Sequence, residues 1–122
     1  TSGFQGWSAT GSSRFTNCAA YNCGYAGFSA CQNLSSCYVG GNNTTSIGFI
    51  GCRNISACRV DNTALNGFSL SYRISACTVD GEGNTTYGFN SCANLSSCHV
   101  MDLADGGTAY NSCSEDDPDS CD

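Results

Sequence analysis

Cysteine is the residue in this chain most able to do chemistry: 11 of the 122 residues are cysteines. Most fall in i, i+6 pairs, Cys31/Cys37, Cys52/Cys58 and Cys92/Cys98, with Cys18/Cys23 and Cys113/Cys121 as looser versions. Cys77 is left over because Ser71 stands where its partner would be. Pairing within each set predicts five disulfides and one free thiol, Cys77, the staples of a secreted cysteine-rich scaffold. An extended stretch of that length spans about 20 Å, whereas the Cα atoms of a disulfide lie within roughly 7 Å. The staples therefore require a bend, placed near Ser35-Ser36. The same spacing admits a second arrangement, two columns of buried thiols in which cysteine serves as a small hydrophobe. Ser71 fits that arrangement comfortably. A metal centre is not expected, because there is no Cys-x-x-Cys and the single histidine, His99, is far from any suitable cluster.

Other candidates are fewer. Asn-x-Ser/Thr sequons occur at Asn33, Asn42, Asn43, Asn54, Asn84 and Asn94. Asn42, Asn43 and Asn84, between the repeated segments, are the glycosylation candidates. Asn33, Asn54 and Asn94 are expected to form a buried amide ladder instead. Asp61 and Asp80 occupy matching positions in successive segments, with Glu82 near. Such carboxylates could hydrolyse glycosides or bind Ca²⁺, but solvated corner residues are the plainer account. No catalytic residue and no cofactor are expected, and the chain does not read as an enzyme. Tyr38, Arg59, Tyr72 and His99 are the candidates for surface binding. Among the aromatics, Trp7, Tyr21, Tyr25, Tyr38 and Tyr72 suit stacking on sugar rings, capping of the fold, or contact with sister subunits.

The elements that must position these residues come from a repeat. Gly27-Phe28, Gly48-Phe49, Gly67-Phe68 and Gly88-Phe89 open four copies of G-F-x-x-C-x-N-[LI]-S-[SA]-C-x-V, at spacings of 21, 19 and 21. In the third copy Ser71 replaces the first Cys and Arg73 the Asn. Degenerate copies flank them, one read from Arg14-Phe15 through Cys18 and Cys23, the other from Ala109-Tyr110 through Cys113 and Cys121. A period near 20 is too short for the common helical repeats, roughly 33 residues or more. Glycine and asparagine are too frequent for helix. The expected fold is all-β: a parallel, right-handed β-solenoid with about 20 residues per coil, three short sides per coil and four to five coils. Stacking turns each repeat position into a column: Phe28, Phe49, Phe68 and Phe89; Leu34, Ile55, Ile74 and Leu95; Val39, Val60, Val79 and Val100. The domain reading is an atypical N-terminal coil or cap over 1–26, the four-coil solenoid over 27–108, and a degenerate coil with an acidic tail over 109–122.

Composition explains why such columns are needed. Leu, Ile, Val and Phe number only 19 of 122 residues, below the roughly 20% that supports an ordinary core. Each column is instead buried by its neighbours above and below, as in other repeat proteins. The net charge of −6 is concentrated at one end, since Glu115, Asp116, Asp117, Asp119 and Asp122 all lie in the last eight positions. With four arginines and no lysine, nucleic acid is not an expected partner. No apolar run approaches the roughly 20 residues of a membrane-spanning helix. No signal-peptide pattern opens the chain at Thr1, the expected start of a processed form or a fragment.

The G-F-x-x-C-x-N-L-S-x-C copies, joined by T-x-Y-G-F and T-A-Y-N-S-C, resemble the Gly-Phe/Cys/Asn repeats of bacteriophage and prophage tail-fibre-like proteins over about residues 14–113. The resemblance implies a β-helical, homo-oligomeric, non-enzymatic rod, trimeric or stacked end to end, that reaches a glycan or receptor on a host surface. It places the protein on a virion or outside the cell. It also implies folding in a reducing cytosol, which leaves the disulfide and thiol-column readings both standing. The C-x-N-x-x-x-C spacing is similar to the stapled coils of beetle antifreeze proteins, but their Thr-x-Thr array and 12-residue period are missing. Ice binding is thus a lesser alternative. A secreted subunit that polymerises into fibrils is another.

Overall fold

The structure, a computed structural model, describes residues 4–5, 14–40 and 46–113. It is a parallel β-solenoid of about four turns, roughly 21 residues each. Three parallel sheets form its sides. The first stacks β1 (Phe4–Gln5), β4 (Ala26–Ser29), β7 (Ile47–Ile50), β10 (Asn66–Ser69), β13 (Tyr87–Asn90) and β16 (Thr108–Asn111). The second stacks β2 (Phe15–Thr16), β5 (Gln32–Ser35), β8 (Arg53–Ser56), β11 (Tyr72–Ser75) and β14 (Ala93–Ser96). The third stacks β3 (Ala19–Tyr21), β6 (Tyr38–Gly40), β9 (Arg59–Asp61), β12 (Thr78–Asp80) and β15 (His99–Met101). Register is one repeat per coil: Phe28 pairs Phe49, Leu34 pairs Ile55, and Val39 pairs Val60.

The core is built from the expected columns. The Phe28, Phe49, Phe68 and Phe89 rings stack at centroid distances of 4.8, 4.7 and 4.8 Å, within 8° of parallel. Tyr110 continues the stack at 5.4 Å. Leu34, Ile55, Ile74 and Leu95 fill the second side, and Val39, Val60 and Val79 the third, all buried; Val100, in the last coil, is half-buried. The glycine of each Gly-Phe pair is explained by this packing. A Cβ on Gly27, Gly48, Gly67 or Gly88 would lie 2.5–2.7 Å from the γ-methyl of the valine across the coil.

Corners follow one rule. The residue before each corner cysteine, or before Ser71, takes a left-handed φ: Asn17, Ser36, Ala57, Ala76 and Ser97 between sides two and three, Ala30, Gly51, Leu70, Ser91 and Ser112 between sides one and two. One such residue between extended neighbours turns the chain sharply, and single residues adopt it at moderate cost. The cysteine that follows points inward, and its Sγ donates to the carbonyl two residues back at 3.3–3.5 Å. Ser71 makes the same bond at 2.9 Å.

Two expectations need correction here. Phe15 does not stand in the phenylalanine column; it pairs Leu34 in the second sheet and meets Phe28 edge-on at 6.0 Å. The backbone of Phe4 holds the register of Phe28. Cys18 accordingly belongs to the second corner and Cys23 to the third, so the first copy is offset from the one read from Arg14-Phe15. The asparagine ladder, second, lies outside the core: Asn54 Nδ2 donates to Asn33 Oδ1 at 3.2 Å, with Asn54 and Asn94 exposed. The backbone favours asparagine at these positions, since Asn33, Asn54 and Asn94 have φ of 59°, 56° and 57°, which asparagine tolerates better than most residues; Arg73 adopts φ 59° at the same place in the third copy.

Candidate binding face

The third sheet gathers most of the surface candidates. Its middle strands bury the central valines Val39, Val60 and Val79, and Gly40 beside them, while the flanking side chains face outward. One outward row reads Tyr38, Arg59, Thr78, His99, and the next reads Gly40, Asp61, Asp80, Met101, each at successive coils. Tyr38 therefore neighbours Arg59, and both stand beside the carboxylates. Tyr38 Oη donates to Asp61 Oδ2 at 2.9 Å. Arg59 Nε donates to Asp61 Oδ1 at 2.8 Å, and its terminal nitrogen reaches Asp80 Oδ2 at 3.4 Å. Glu82 N donates to Asp80 Oδ1 at 3.1 Å. Tyr21, exposed, lies against the Tyr38 ring at 5.5 Å and an angle of 49°.

Electrostatically this row is an alternation of aromatic, cation and anion. Arg59 stands between two carboxylates, those of Asp61 and Asp80. Partial burial, reinforced by the hydrogen bond to Asp61, pushes the Tyr38 phenol up to about 12. Tyr38 is thus a neutral donor across the physiological range, and Asp61 is held as an acceptor. His99 shares the row but sits two coils from Arg59, exposed at the C-terminal end.

Tyr72, the fourth candidate, is on a different side. In the second sheet its Oη accepts from Arg53 at 3.0 Å, and Arg53 Nε donates to Gln32 Oε1 at 2.8 Å. A shallow groove of about 280 Å³ lies on that same side, lined by Arg14, Thr16, Asn33, Leu34, Ser35, Asn54 and Ser56. Asn84 is exposed at the third corner, where its Nδ2 donates to Asn62 Oδ1 at 2.7 Å. Asn42 and Asn43 lie outside the described residues, as do Trp7, Cys121 and the acidic tail.

The cysteines are placed differently from the within-coil staples. Cys31 and Cys37 sit at two different corners with β5 between them; β8 separates Cys52 from Cys58, and β14 separates Cys92 from Cys98. The bend at Ser36 is present, with φ 52°, but a second bend at Ala30 turns the first cysteine onto another side. The ten described cysteines are all thiols. In this structure the pairs Cys18–Cys23, Cys31–Cys37, Cys52–Cys58 and Cys92–Cys98 are not joined, and Cys77 is a thiol like the others. Cys113 is likewise a thiol, its expected partner Cys121 lying outside the described residues. Cys98 shows the correction plainly. It is buried at the second corner, and its Sγ lies 3.3 Å from the Ser96 carbonyl and 3.7 Å from the Ile74 carbonyl of the preceding coil, turned away from the corner that holds Cys92.

Thiols instead meet their counterparts in the next coil. Cys31 meets Cys52, Cys77 meets Cys58, and Cys92 meets Cys113. Burial, with a weaker repulsion from Cys58 and Cys18, lifts the Cys37 thiol to about 11. Cys52, Cys77 and Cys92 are raised further by donating to a neighbouring sulfur in addition to being buried.

Thr63 and Thr85 fall in the segments between repeats, where the sequence offers only corner chemistry, yet both are wholly buried. Their hydroxyls lie 3.2 Å apart, Thr63 Oγ1 donates to the Asn66 carbonyl at 3.0 Å, and Thr85 Oγ1 reaches the Thr63 carbonyl at 2.9 Å. Linker lengths differ between the two coils, which hid their equivalence; the signal was the position two residues after Asp61 and just past the left-handed turn at Asn62, where Cys23 stands in the first coil.

Among the described residues no group of three or more histidines, cysteines or acids is arranged to hold a metal ion. No helix among them is long and apolar enough to cross a membrane. These features define a class, a cysteine-lined parallel β-solenoid with one tyrosine- and charge-bearing face. The chain matches no family model, no curated protein and no solved structure.

Proposed function

We propose that this chain is a non-enzymatic structural and adhesive module of an extracellular or virion-surface fibre, and that its third face binds a cell-surface glycan. The observation that carries the reading is the row Tyr21, Tyr38, Asp61, Arg59, Asp80, with its aromatic pair at 5.5 Å and its hydrogen-bond chain of 2.8–3.4 Å. Sugars present C–H faces that stack on aromatic rings and hydroxyl pairs that bond to carboxylates and guanidinium groups. The rise between coils sets the successive side chains of the row at a fixed spacing, which suits a polymer of similar repeat. A homo-oligomer of the rod multiplies weak contacts through effective concentration. The tail-fibre-like repeat style points the same way.

A glycan array with the full chain tests the proposal. Binding to a defined set of glycans is expected, weakened about tenfold by Tyr21→Ala, in line with one lost aromatic contact. Asp61→Asn, which keeps the shape but removes the charge, is expected to weaken it too. An array on which nothing is retained, or binding that both variants leave intact, overturns the assignment of this face.

A further inference from the structure

Sulfur atoms in this molecule line up along the solenoid axis, not around a coil. At the first corner Cys31 stands beside Cys52 and Cys92 beside Cys113, with Ser71 between the two pairs. At the second corner Cys58 has a sulfur neighbour on each side: the Cys77 thiol donates to it from one coil, and Cys37, whose backbone N donates to Cys58 Sγ at 3.4 Å, stands on the other. The flanking backbone holds the three pairs in register: Arg53 N donates to the Cys31 carbonyl at 3.1 Å, Thr78 N to the Cys58 carbonyl at 3.0 Å, and Ser91 N to the Asn111 carbonyl at 2.8 Å. Adjacent strands lie about 4.8 Å apart, within the roughly 4.4–6.8 Å that separate the Cα atoms of a disulfide.

We propose that Cys31–Cys52, Cys58–Cys77 and Cys92–Cys113 are disulfide sites that bridge one coil to the next when the chain folds in the presence of a small-molecule disulfide such as oxidised glutathione. Ser71 has a role in this arrangement. A cysteine there would give the first corner a run of five equivalent thiols, as the second corner has in Cys18, Cys37, Cys58, Cys77 and Cys98; serine divides the first run into two pairs. Its hydroxyl still accepts from Cys52 N at 3.1 Å, so the corner keeps its hydrogen bond.

The chemistry is two successive exchanges. One cysteine thiolate attacks glutathione disulfide, forming a mixed disulfide and expelling one glutathione thiolate. Its axial neighbour, having lost its proton to solvent, attacks the protein sulfur of that mixed disulfide and expels the second. Two protein thiols are oxidised, one glutathione disulfide is reduced, and two glutathiones take up the two protons. Timing follows from burial. In the finished fold Cys52 and Cys77 are 0% exposed, and buried thiols stay protonated and unreactive. Exchange therefore belongs to the period in which the coils close, and the bridges are sealed once they have closed.

The four arginines make the pairing readable. The reduced full chain is refolded in a glutathione redox buffer, quenched in acid, alkylated and cut after arginine without reduction. Cys58 is then alone in the fragment 54–59, Cys52 lies in 15–53 and Cys77 in 74–122. The expected product is 54–59 joined to 74–122, and it disappears in Cys77→Ser. Fragment 54–59 joined to 15–53 overturns the proposal, as does alkylated Cys58, an unselective mixture, or a product that persists in Cys77→Ser.

Discussion

Leu70 is the most costly of the corner residues by its surroundings. It holds φ 50° and is 60% exposed, so its side chain returns nothing for a conformation that leucine avoids. Gly51 occupies the same position one coil earlier, with φ 64°. Leu70→Gly is therefore expected to raise stability by about 1 kcal/mol, less than the full left-handed cost because glycine also loosens the unfolded chain. The thermal midpoint measures it, and a fall would show that Leu70 packs to some purpose. Thr63 is the opposite case. Thr63→Val keeps the shape but removes the hydrogen bond to the Asn66 carbonyl and the hydroxyl contact with Thr85, and a loss of about 1–3 kcal/mol is expected in urea denaturation. The repeat made the cysteine, asparagine and valine columns legible at this scale, because like residues recur at like spacing. It did not reveal the threonine pair, because their coils differ in length.

At the scale of the element, each coil side is a strand of two to four residues, too short to stand alone. Its stability comes from the strands above and below. The Gly-Phe pair is where this is tightest. A Cβ on Gly67 would lie 2.6 Å from a Val79 methyl and 2.7 Å from the Gly88 carbonyl oxygen. Neither strand can retreat without breaking register, so Gly67→Ala is expected to cost at least about 1–3 kcal/mol. Phe68→Ala removes a ring stacked on both faces and is expected to cost about 3–5 kcal/mol. Chemical denaturation reads both, and a Gly67→Ala variant as stable as the parent would mean that the valine side chain turns aside. Gly-Phe was visible as a repeat signature; that the glycine makes room for a valine from another side required the third dimension.

For the whole molecule, the thiol columns make stability depend on alkali. Cys37 is raised from 9.0 to about 11 in the fold, so the folded state holds this proton more tightly than the unfolded chain. The contribution is complete below pH 9 and is lost as pH rises through 11. Tyr38, raised from 10.0 to about 12, adds a second loss between those values. Cys52, Cys77 and Cys92 shift in the same direction, while Cys58, which accepts from Cys77, is lowered. With reductant present, the urea midpoint is expected to be level from about pH 7 to 8.5 and to fall by about pH 10.5. A midpoint unchanged at the alkaline end would mean that the buried thiols ionise as they do in the open chain.

The repeat by itself determined the solenoid, its period and the contents of its columns. A 19- to 21-residue recurrence leaves few ways to pair like with like, and a chain with so few large aliphatics can bury them only by stacking. Tertiary structure alone decided which way each column faces. An i, i+6 spacing is silent about how many bends lie between two cysteines; here there is a left-handed residue before each, and the two bends send the sulfurs to different corners. Left-handed residues elsewhere act alike: Asn54 and Asn94 are themselves left-handed and exposed, Thr63 and Thr85 follow the turns at Asn62 and at Glu82-Gly83 and are buried, and the second-corner bend separates Tyr72 from Tyr38 and Arg59. The identity of a neighbour in this fold is set by the coil above and below, a relation that distance along the chain does not contain.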